Sequence, residues 1–188
     1  LILSDTIRED AAEAVKCLKE MKIRETCLLT GDHEAAARHI QQVSGIDTMH
    51  CDLLPEQKLA YVREAKEHAS VIVVGDGIND ALALSEADIG IAMGAMGSDT
   101  AIQSADIALM NNSLQNIPFA IALSEQTRSI IYQNIVIAFL ISAIMILLAA
   151  SGLISALAGA IFHNAGAFII LINSGRLLKK KDTDTEEK

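Results

Sequence analysis

The sequence predicts an α/β protein in which part of a Rossmann-like parallel sheet is followed by a hairpin of two transmembrane helices. Residues 1–128 alternate short apolar runs with stretches whose apolar residues recur at helical spacing, a pattern typical of parallel sheets. The segment from Ser129 to Gly175 contains no Asp, Glu, Lys or Arg, and nearly all the charge lies before or after it. These two observations divide the chain into a charged α/β region and an apolar region.

Short apolar runs predict the strands of the α/β region, at Leu1–Ser4, Thr26–Leu29, Val71–Val74, Ile89–Met93 and Ile107–Met110. Helical spacing predicts helices at Arg8–Met21, His33–Val43, from Pro55 onward, at Asn79–Leu84 and at Leu114–Arg128. Proline suits the first turn of a helix, and the β-branched run Val71–Val74 is typical of a buried parallel strand. We therefore expect strands and helices to alternate along the first 128 residues.

The apolar region is long enough for two membrane spans, since a helix needs about 20 apolar residues to cross a bilayer. We place the spans at 130–150 and 157–178, with a turn near Ser151 and Gly152, inside a transmembrane region at 129–178. Arg176 and the lysines that follow it predict a cytoplasmic end for the second span. The α/β region (1–128) and the tail (179–188) are then both cytoplasmic, in a multi-pass protein of a bacterial plasma membrane. The alternative is a buried helical hairpin in a soluble protein.

Composition excludes some classes of function. The formal net charge is −9 over 188 residues, which argues against a nucleic-acid partner. The three cysteines show no CxxC spacing and are interpreted as reduced cytosolic thiols. Because the chain starts at Leu1, within an apparent strand, we expect it to belong to a longer polypeptide.

Polar residues follow three of the predicted strands. Asp5 follows the first, Thr30-Gly31-Asp32 the second, and the segment Gly75 to Asp80 the third. Ligands of parallel α/β sheets bind beyond the carboxyl ends of the strands. The sequence therefore predicts one site at this edge of the sheet.

The segment Gly75-Asp76-Gly77-Ile78-Asn79-Asp80 offers two carboxylates and a carboxamide, which are hard oxygen ligands of the kind that Mg²⁺ prefers. The following helix would direct free N–H groups at an anion. The alternative is a loop in which Asn and Asp simply form the turn and cap the helix.

Thr30 and Lys58 are candidates for contact with a phosphoryl group. A hydroxyl at a strand end can donate to a phosphoryl oxygen, and a lysine one turn into the Pro55 helix can neutralise its charge. The alternatives are a helix N-cap at Asp32 and an ordinary surface lysine at Lys58. The sequence has no GxxxxGK[ST] segment, so a P-loop is excluded.

Together these segments resemble the P-type ATPases of the haloacid-dehalogenase-like superfamily. Thr30-Gly31-Asp32 matches the TGD motif, Gly75 to Asp80 matches GDGxND, and Ala87 to Gly94 matches the segment after it. Ser4 to Arg8 is similar to the DxxR element, and Leu54 to Lys58 to the P-x-x-K helix. The resemblance implies a haloacid-dehalogenase-type sheet and ATP-driven transport through an aspartyl-phosphate.

The resemblance also implies roles for site residues. Thr30 and Lys58 would contact the phosphoryl group, with Gly31 allowing close approach and Asp32 ordering the site and the bound ATP. The Mg²⁺ ligand would be Asp76, with Asp80 as a second candidate, and Gly77 would belong to the same cofactor-binding turn. Asn79 and Asp80 would position the phosphorylated loop. The family's DKTGT segment, which carries the nucleophilic Asp, does not occur in this sequence. We therefore expect that segment upstream in the same polypeptide, and this chain alone to be inactive.

Two features resemble the heavy-metal-transporting subfamily of these ATPases. Two membrane spans follow the GDGxND motif, and the variable position of that motif is Ile78. His163 and Asn164 lie in the second predicted span, where polar groups are costly and often functional. They are candidates for coordinating a transported cation, with zinc, cadmium, cobalt, nickel, manganese and copper left open, or for hydrogen bonding between helices. Zinc and cadmium pumps typically show His-Asp here, so Asn164 departs from the pattern.

Two rival functions stay open. One is a membrane-anchored phosphatase of the same superfamily, and the other is a catalytically inactive truncated fragment that binds partner helices. The partners expected for the transporter are a heavy-metal cation, membrane lipid and the upstream part of the polypeptide.

Overall fold

The computed structural model describes residues 7–75, 78–93, 99–111 and 113–178. The chain divides into two compact units, residues 1–119 and 120–188. The helices and strands in chain order are α1 (Ala11–Glu20), β1 (Cys27–Leu29), α2 (Glu34–Ser44), β2 (Thr48–His50), α3 (Pro55–Lys66), β3 (Ile72–Gly75), α4 (Ala81–Glu86), β4 (Ile89–Met93), α5 (Asp99–Ser104), β5 (Ile107–Leu109), α6 (Asn116–Ala150) and α7 (Ala156–Gly175). A 3₁₀ turn at Ile78–Asp80 leads directly into α4.

The described strands of the first unit form two parallel sheets. β1 pairs with β2, and β3, β4 and β5 pair in that order. In the larger sheet Val74 lies opposite Ile91, and Ile91 lies opposite Ile107. The predicted parallel α/β fold is confirmed, although the strands lie in two sheets because no described strand joins β1 to β3.

The core of the first unit lies where helices cover the larger sheet. Val62 of α3, Leu84 of α4 and Ile91 of β4 are at most 2% exposed. A Cβ added to Gly90 would lie 2.5 Å from the Leu84 carbonyl oxygen, so α4 rests directly on β4 at this point. Only glycine allows such a close approach of two backbones.

Some elements differ from those that the sequence predicts. β2 and α5 were not predicted, because Thr48–His50 is short and polar and Asp99–Ser104 lacks an extended apolar stripe. α1 begins at Ala11, not at Arg8, because Asp10 is its N-cap residue. The predicted strand Leu1–Ser4 lies outside the described residues.

The second unit consists of the later part of α6, a short turn and α7. α6 ends at Ala150, Gly152 takes a left-handed conformation at φ +72°, and the Ser155 hydroxyl caps α7 by accepting from the Ala158 N–H at 3.3 Å. The predicted turn near Ser151 and Gly152 is therefore confirmed. Both Asn116–Ala150 and Leu157–Gly175 are long and apolar enough to cross a membrane.

Candidate active site

Thr30 follows β1 directly and extends its pairing with β2. The Thr30 N–H donates to the His50 carbonyl at 3.0 Å, and the Leu53 N–H donates to the Thr30 carbonyl at 3.0 Å. The Thr30 hydroxyl donates to Asp32 Oδ2 at 2.8 Å and accepts from the Asp32 N–H at 3.1 Å. The loop is therefore closed on itself, and the hydroxyl would have to leave Asp32 in order to donate to a phosphoryl oxygen.

Asp32 is not the cap of the helix that follows it. The N-cap residue of α2 is His33, which makes no capping hydrogen bond with its side chain. The alternative role predicted for Asp32 is therefore wrong, because its carboxylate is held by Thr30 instead. The His33 imidazole Nδ1 lies 2.6 Å from Asp52 Oδ1, so a second acidic residue borders the same loop.

Gly31 brings this loop against the segment that leads into α3. A Cβ added to Gly31 would lie 3.3 Å from the Leu53 carbonyl oxygen, tighter than ordinary contact. The next residue, Leu54, is the N-cap of α3, and Pro55 occupies its first turn as predicted. The Gln57 side chain accepts from the Leu54 N–H at 2.8 Å, which fixes the start of the helix.

Lys58 lies one turn into α3 and forms an ion pair with Asp80. Lys58 Nζ donates to Asp80 Oδ1 at 2.8 Å, and the two side chains are only 15% and 21% exposed. The alternative of a surface lysine is therefore wrong. Removing either partner would leave a partly buried charge without compensation, which is strongly unfavourable.

Asp80 is also confined by the end of β3. Gly75 is the last, buried residue of that strand, and a Cβ there would lie 2.7 Å from Asp80 Cβ and 3.0 Å from its Oδ2. Glycine is required at this position because the strand end and the Asp80 carboxylate share the same space. Asn79, in the 3₁₀ turn before Asp80, is exposed.

The structure thus joins two parts of the predicted site and leaves others undescribed. The Thr30–Asp32 loop contacts the segment that leads into α3. Lys58 of α3 bonds to Asp80, which lies against the end of β3. Asp5, Asp76 and Gly77 lie outside the described residues.

The donor chemistry fits a magnesium ion held partly by water. The Asp80 carboxylate and the Asn79 carboxamide are hard oxygen ligands, and Mg²⁺ in proteins keeps several waters beside one or two carboxylates. In the part of the chain that the structure describes, no group of three or more His, Cys, Asp or Glu side chains could hold a metal. Asp80 Oδ1 accepts from Lys58, and Asp80 Oδ2 lies against Gly75 at the end of β3.

The sequence did not single out every residue that shapes the site. The Leu53 carbonyl lies against Gly31, which its residue type does not suggest, whereas a glutamine at the third position of a helix, as at Gln57, is a capping signal that the sequence contains. Gly75 is in the predicted segment only as its first residue, yet it lies against Asp80 and limits the position of that carboxylate. For Gly75, a glycine at the end of a β-branched strand was the available signal.

In the second unit, His163 and Asn164 have different surroundings. His163 lines an open pocket of about 340 Å³ between α6 and α7, together with Ser142, Met145 and other residues near the turn. The Asn164 amide donates to the Ala160 carbonyl of its own helix at 2.9 Å. Its polar group is therefore satisfied within α7, whereas the imidazole faces a space that both helices border.

Near their other end the two helices are linked by hydrogen bonds of Asn134, beside a longer one from Asn173 to Gln133 at 3.4 Å. The Asn134 amide donates to the Ser174 hydroxyl at 2.9 Å, and its carbonyl accepts from the Asn173 amide at 2.9 Å. The Asn173 carbonyl in turn accepts from Arg176 at 3.3 Å. These residues pair the helices as polar side chains do in membranes.

The chain is similar to known proteins over most of its length. Residues 1–88 match the family of haloacid dehalogenase-like hydrolases. A probable cadmium-transporting ATPase of Listeria monocytogenes is 40% identical over 96% of this chain and 26% of its own length. A zinc-transporting ATPase of Synechocystis is 40% identical over 95% of this chain and 25% of its own length. A manganese-exporting P-type ATPase of Mycobacterium tuberculosis is 40% identical over 94% of this chain and 25% of its own length.

Solved structures give the same result. The crystal structure of a zinc-transporting PIB-type ATPase in the E2.Pi state matches with a TM-score of 0.86 and 36% identity, over 93% of this chain and 28% of that protein. The catalytic domain of the CPx-ATPase CopB-B matches with a TM-score of 0.56 and 30% identity, over 63% of this chain and 47% of that domain. This chain therefore spans about a quarter of the length of the transporters that it matches.

Proposed function

Since this chain belongs to the heavy-metal-transporting P-type ATPases, we propose that it forms part of an ATP-driven cation transporter that works through an aspartyl-phosphate. The nucleophilic Asp would come from the upstream part of the same polypeptide, because the DKTGT segment is absent from this sequence. Residues 1–128 would supply the cytoplasmic phosphoryl-binding groups. Residues 129–178 would supply two membrane helices in contact with lipid, and 179–188 a cytoplasmic tail.

One observation carries the proposal: the partly buried pair of Lys58 and Asp80 beside Gly75. A lysine held at the end of a parallel strand by a carboxylate is oriented before any anion arrives, so little reorganisation is needed when charge develops. The Thr30–Asp32 loop borders the start of the same helix, and the Thr30 hydroxyl would be free to donate to a phosphoryl oxygen once it leaves Asp32.

Magnesium would be held by Asp76 with a contribution from Asp80, and when bound it offsets the charge of the transferring phosphoryl group. The described residues of this chain would orient the transferring phosphoryl group and neutralise its charge. Lys58 holds a positive charge at the site, Asp80 keeps that charge in place, and Asn79 and Asp80 position the loop that carries the nucleophile. Gly31 and Gly75 keep the surrounding backbone close.

The transported cation is proposed to be a divalent heavy metal. The similar transporters described above carry cadmium, zinc and manganese. His163 is the residue of this hairpin best placed to contact the cation, because its imidazole lines the pocket beside Ser142 and Met145. Asn164 is the weaker candidate, because its amide bonds to its own helix.

The test is the formation of an acid-stable phosphoenzyme from γ-labelled ATP in membranes that contain the full transporter. We expect labelling that depends on Mg²⁺ and on one of the divalent cations. Lys58→Met should lower the rate of labelling about a hundredfold or more, because it removes a preorganised charge from the transferring group.

Lys66→Met is the matched control, since Lys66 lies on the same helix and bonds to the Glu86 carbonyl and to Asp88, away from the site. Its labelling should stay close to that of the wild type. Absence of any phosphoenzyme in the wild type would refute the function. Equal labelling of the two lysine variants would refute the role of Lys58.

A further inference from the structure

Asp10 joins two parts of the first unit that lie about a hundred residues apart in sequence. Its Oδ2 accepts from the Ser113 hydroxyl at 2.9 Å and from the Leu114 N–H at 2.7 Å, and the group is partly buried. Asp10 is also the N-cap residue of α1, although its side chain makes no capping bond there. The Asp10 carboxylate therefore bonds to the segment around Ser113 and not to its own helix.

That segment is the entry to α6. The Asn116 N–H donates to the Ser113 carbonyl at 3.4 Å, and the Ile117 N–H to the Leu114 carbonyl at 3.1 Å, so the first turn of the helix is built on the two residues that bond to Asp10. Ile117 is 5% exposed. The helix then continues without a break from Asn116 to Ala150.

The carboxylate is ionised in this setting. Burial acts to raise the pKa of Asp10, but the hydrogen bonds from Ser113 and Leu114, together with the charge of Arg8, hold the pKa below its usual range. A negative charge at the start of a helix is favourable because the helix dipole is positive at that end. Asp10 thus holds the start of α6 by two hydrogen bonds and by charge.

We propose that Asp10 is a positioning residue that fixes the first turn of α6 to the rest of the first unit, which carries the proposed phosphoryl site. Phosphoryl transfer would thereby be coupled to movement of the membrane helix. The inference rests on the proposed function. Asp10 touches no reacting group, and its effect would appear in the coupling of transport to hydrolysis and not in the chemistry itself.

The test compares Asp10→Ala with Glu9→Gln in membrane vesicles that contain the full transporter. Glu9 is the exposed neighbouring carboxylate and serves as the matched control. Two quantities are measured: phosphoenzyme formed from γ-labelled ATP, and metal transported per ATP hydrolysed. For Asp10→Ala we expect phosphoenzyme close to the wild-type level and a transport ratio lower by about fivefold or more, the lower end of ordinary coupling between sites.

Asp10→Asn, which keeps an acceptor oxygen, should recover most of the transport ratio, and Glu9→Gln should match the wild type. A transport ratio unchanged in Asp10→Ala, or a loss of phosphoenzyme in proportion to transport, would overturn the inference. If Asp10→Ala does not accumulate, Ser113→Ala removes one of the two donors and is judged by the same ratio. Wild-type vesicles without phosphoenzyme would instead refute the proposed function.

Discussion

At the scale of single residues, several carboxylates of the first unit hold together segments that are distant in sequence. Asp47 is the clearest case. Its Oδ1 accepts from Lys19 Nζ at 2.5 Å, and its Oδ2 accepts from the Thr26 N–H at 2.9 Å and from the Thr26 hydroxyl at 2.7 Å. It therefore links α1, the start of β1 and the end of the α2–β2 connection.

The substitution Asp47→Asn should make the thermal midpoint of the protein less sensitive to a fall in pH. The hydrogen bond from Lys19, followed by those from Thr26, holds the pKa of Asp47 well below its usual range. A depressed folded-state pKa stabilises the protein above the unfolded value, about 3.9, and this contribution is lost as pH falls through the folded value. The difference in thermal midpoint between wild type and Asp47→Asn should therefore be largest near neutral pH and shrink below about pH 4.

The thermal midpoints are measured in detergent, and Glu20→Gln is the control variant. Glu20 is an exposed carboxylate on α1 whose nearest cation, Lys16, lies 4.0 Å away. Such pairs contribute little, so its thermal midpoint should follow that of the wild type at every pH. A constant difference between wild type and Asp47→Asn from pH 7 to pH 3 would contradict the assignment.

Residues in short motifs could be predicted, but their long-range partners could not. Thr30, Lys58 and Asp80 lie in segments whose residue types and spacing indicate phosphoryl chemistry. The pairing of Lys58 with Asp80 depends on how α3 packs beside the end of β3, which no local pattern encodes. Asp10 and Asp47 were not predicted for the same reason, since their partners are set by the tertiary fold.

At the scale of elements, long periodic segments were predictable and short polar ones were not. The helices α1, α2 and α3 have a regular apolar pattern or a proline at the start, and all three were predicted. α6 was predicted in two parts, a helix at Leu114–Arg128 and a membrane span at 130–150, and the structure joins them in one helix. β2 is a strand because it pairs with β1 and not because of its own composition. The separation of β1 and β2 from the larger sheet likewise depends on which strands are neighbours in space.

The pair of helices α6 and α7 should be weakened by loss of Asn134. Asn134→Leu removes its hydrogen bonds to Asn173 and Ser174 while keeping the branched shape of the side chain. Such interhelical bonds average about 0.6 kcal/mol each in membranes and reach about 1.7 kcal/mol, so we expect a loss of about 1 kcal/mol. Unfolding of the chain by sodium dodecyl sulfate in bicelles would measure it.

Asn164→Leu provides the comparison, because the Asn164 amide bonds only within its own helix among the contacts described for it. It should leave the unfolding free energy nearly unchanged. If the two leucine variants lose the same amount, the Asn134 bonds do not pair the helices.

At the scale of the whole molecule, the segregation of charge allowed the second unit to be predicted in outline. A segment without Asp, Glu, Lys or Arg has no solvated face, and its apolar side chains remain outward in the structure, with Phe139 at 72% and Ile172 at 74% exposed. The residues that line the pocket near His163 could not be predicted, because they come from both helices and depend on where the turn falls.

The proposed topology places the turn and the tail on opposite sides of the membrane. In a transporter whose natural cysteines have been replaced, including the three of this chain, Ser151→Cys should react with a membrane-impermeant maleimide in intact spheroplasts. Thr183→Cys should react only after permeabilisation, because the lysines that follow α7 favour the cytoplasmic side. Labelling of Thr183→Cys in intact spheroplasts would reverse this orientation.

The 35-residue length of α6 has a mechanical consequence. At a rise of about 1.5 Å per residue the helix is about 52 Å long, and a tilt of about 10° at one end displaces the other by about 9 Å. In the proposed transporter, a helix of this length would convert a small change of angle at its first turn into a larger displacement at Ala150.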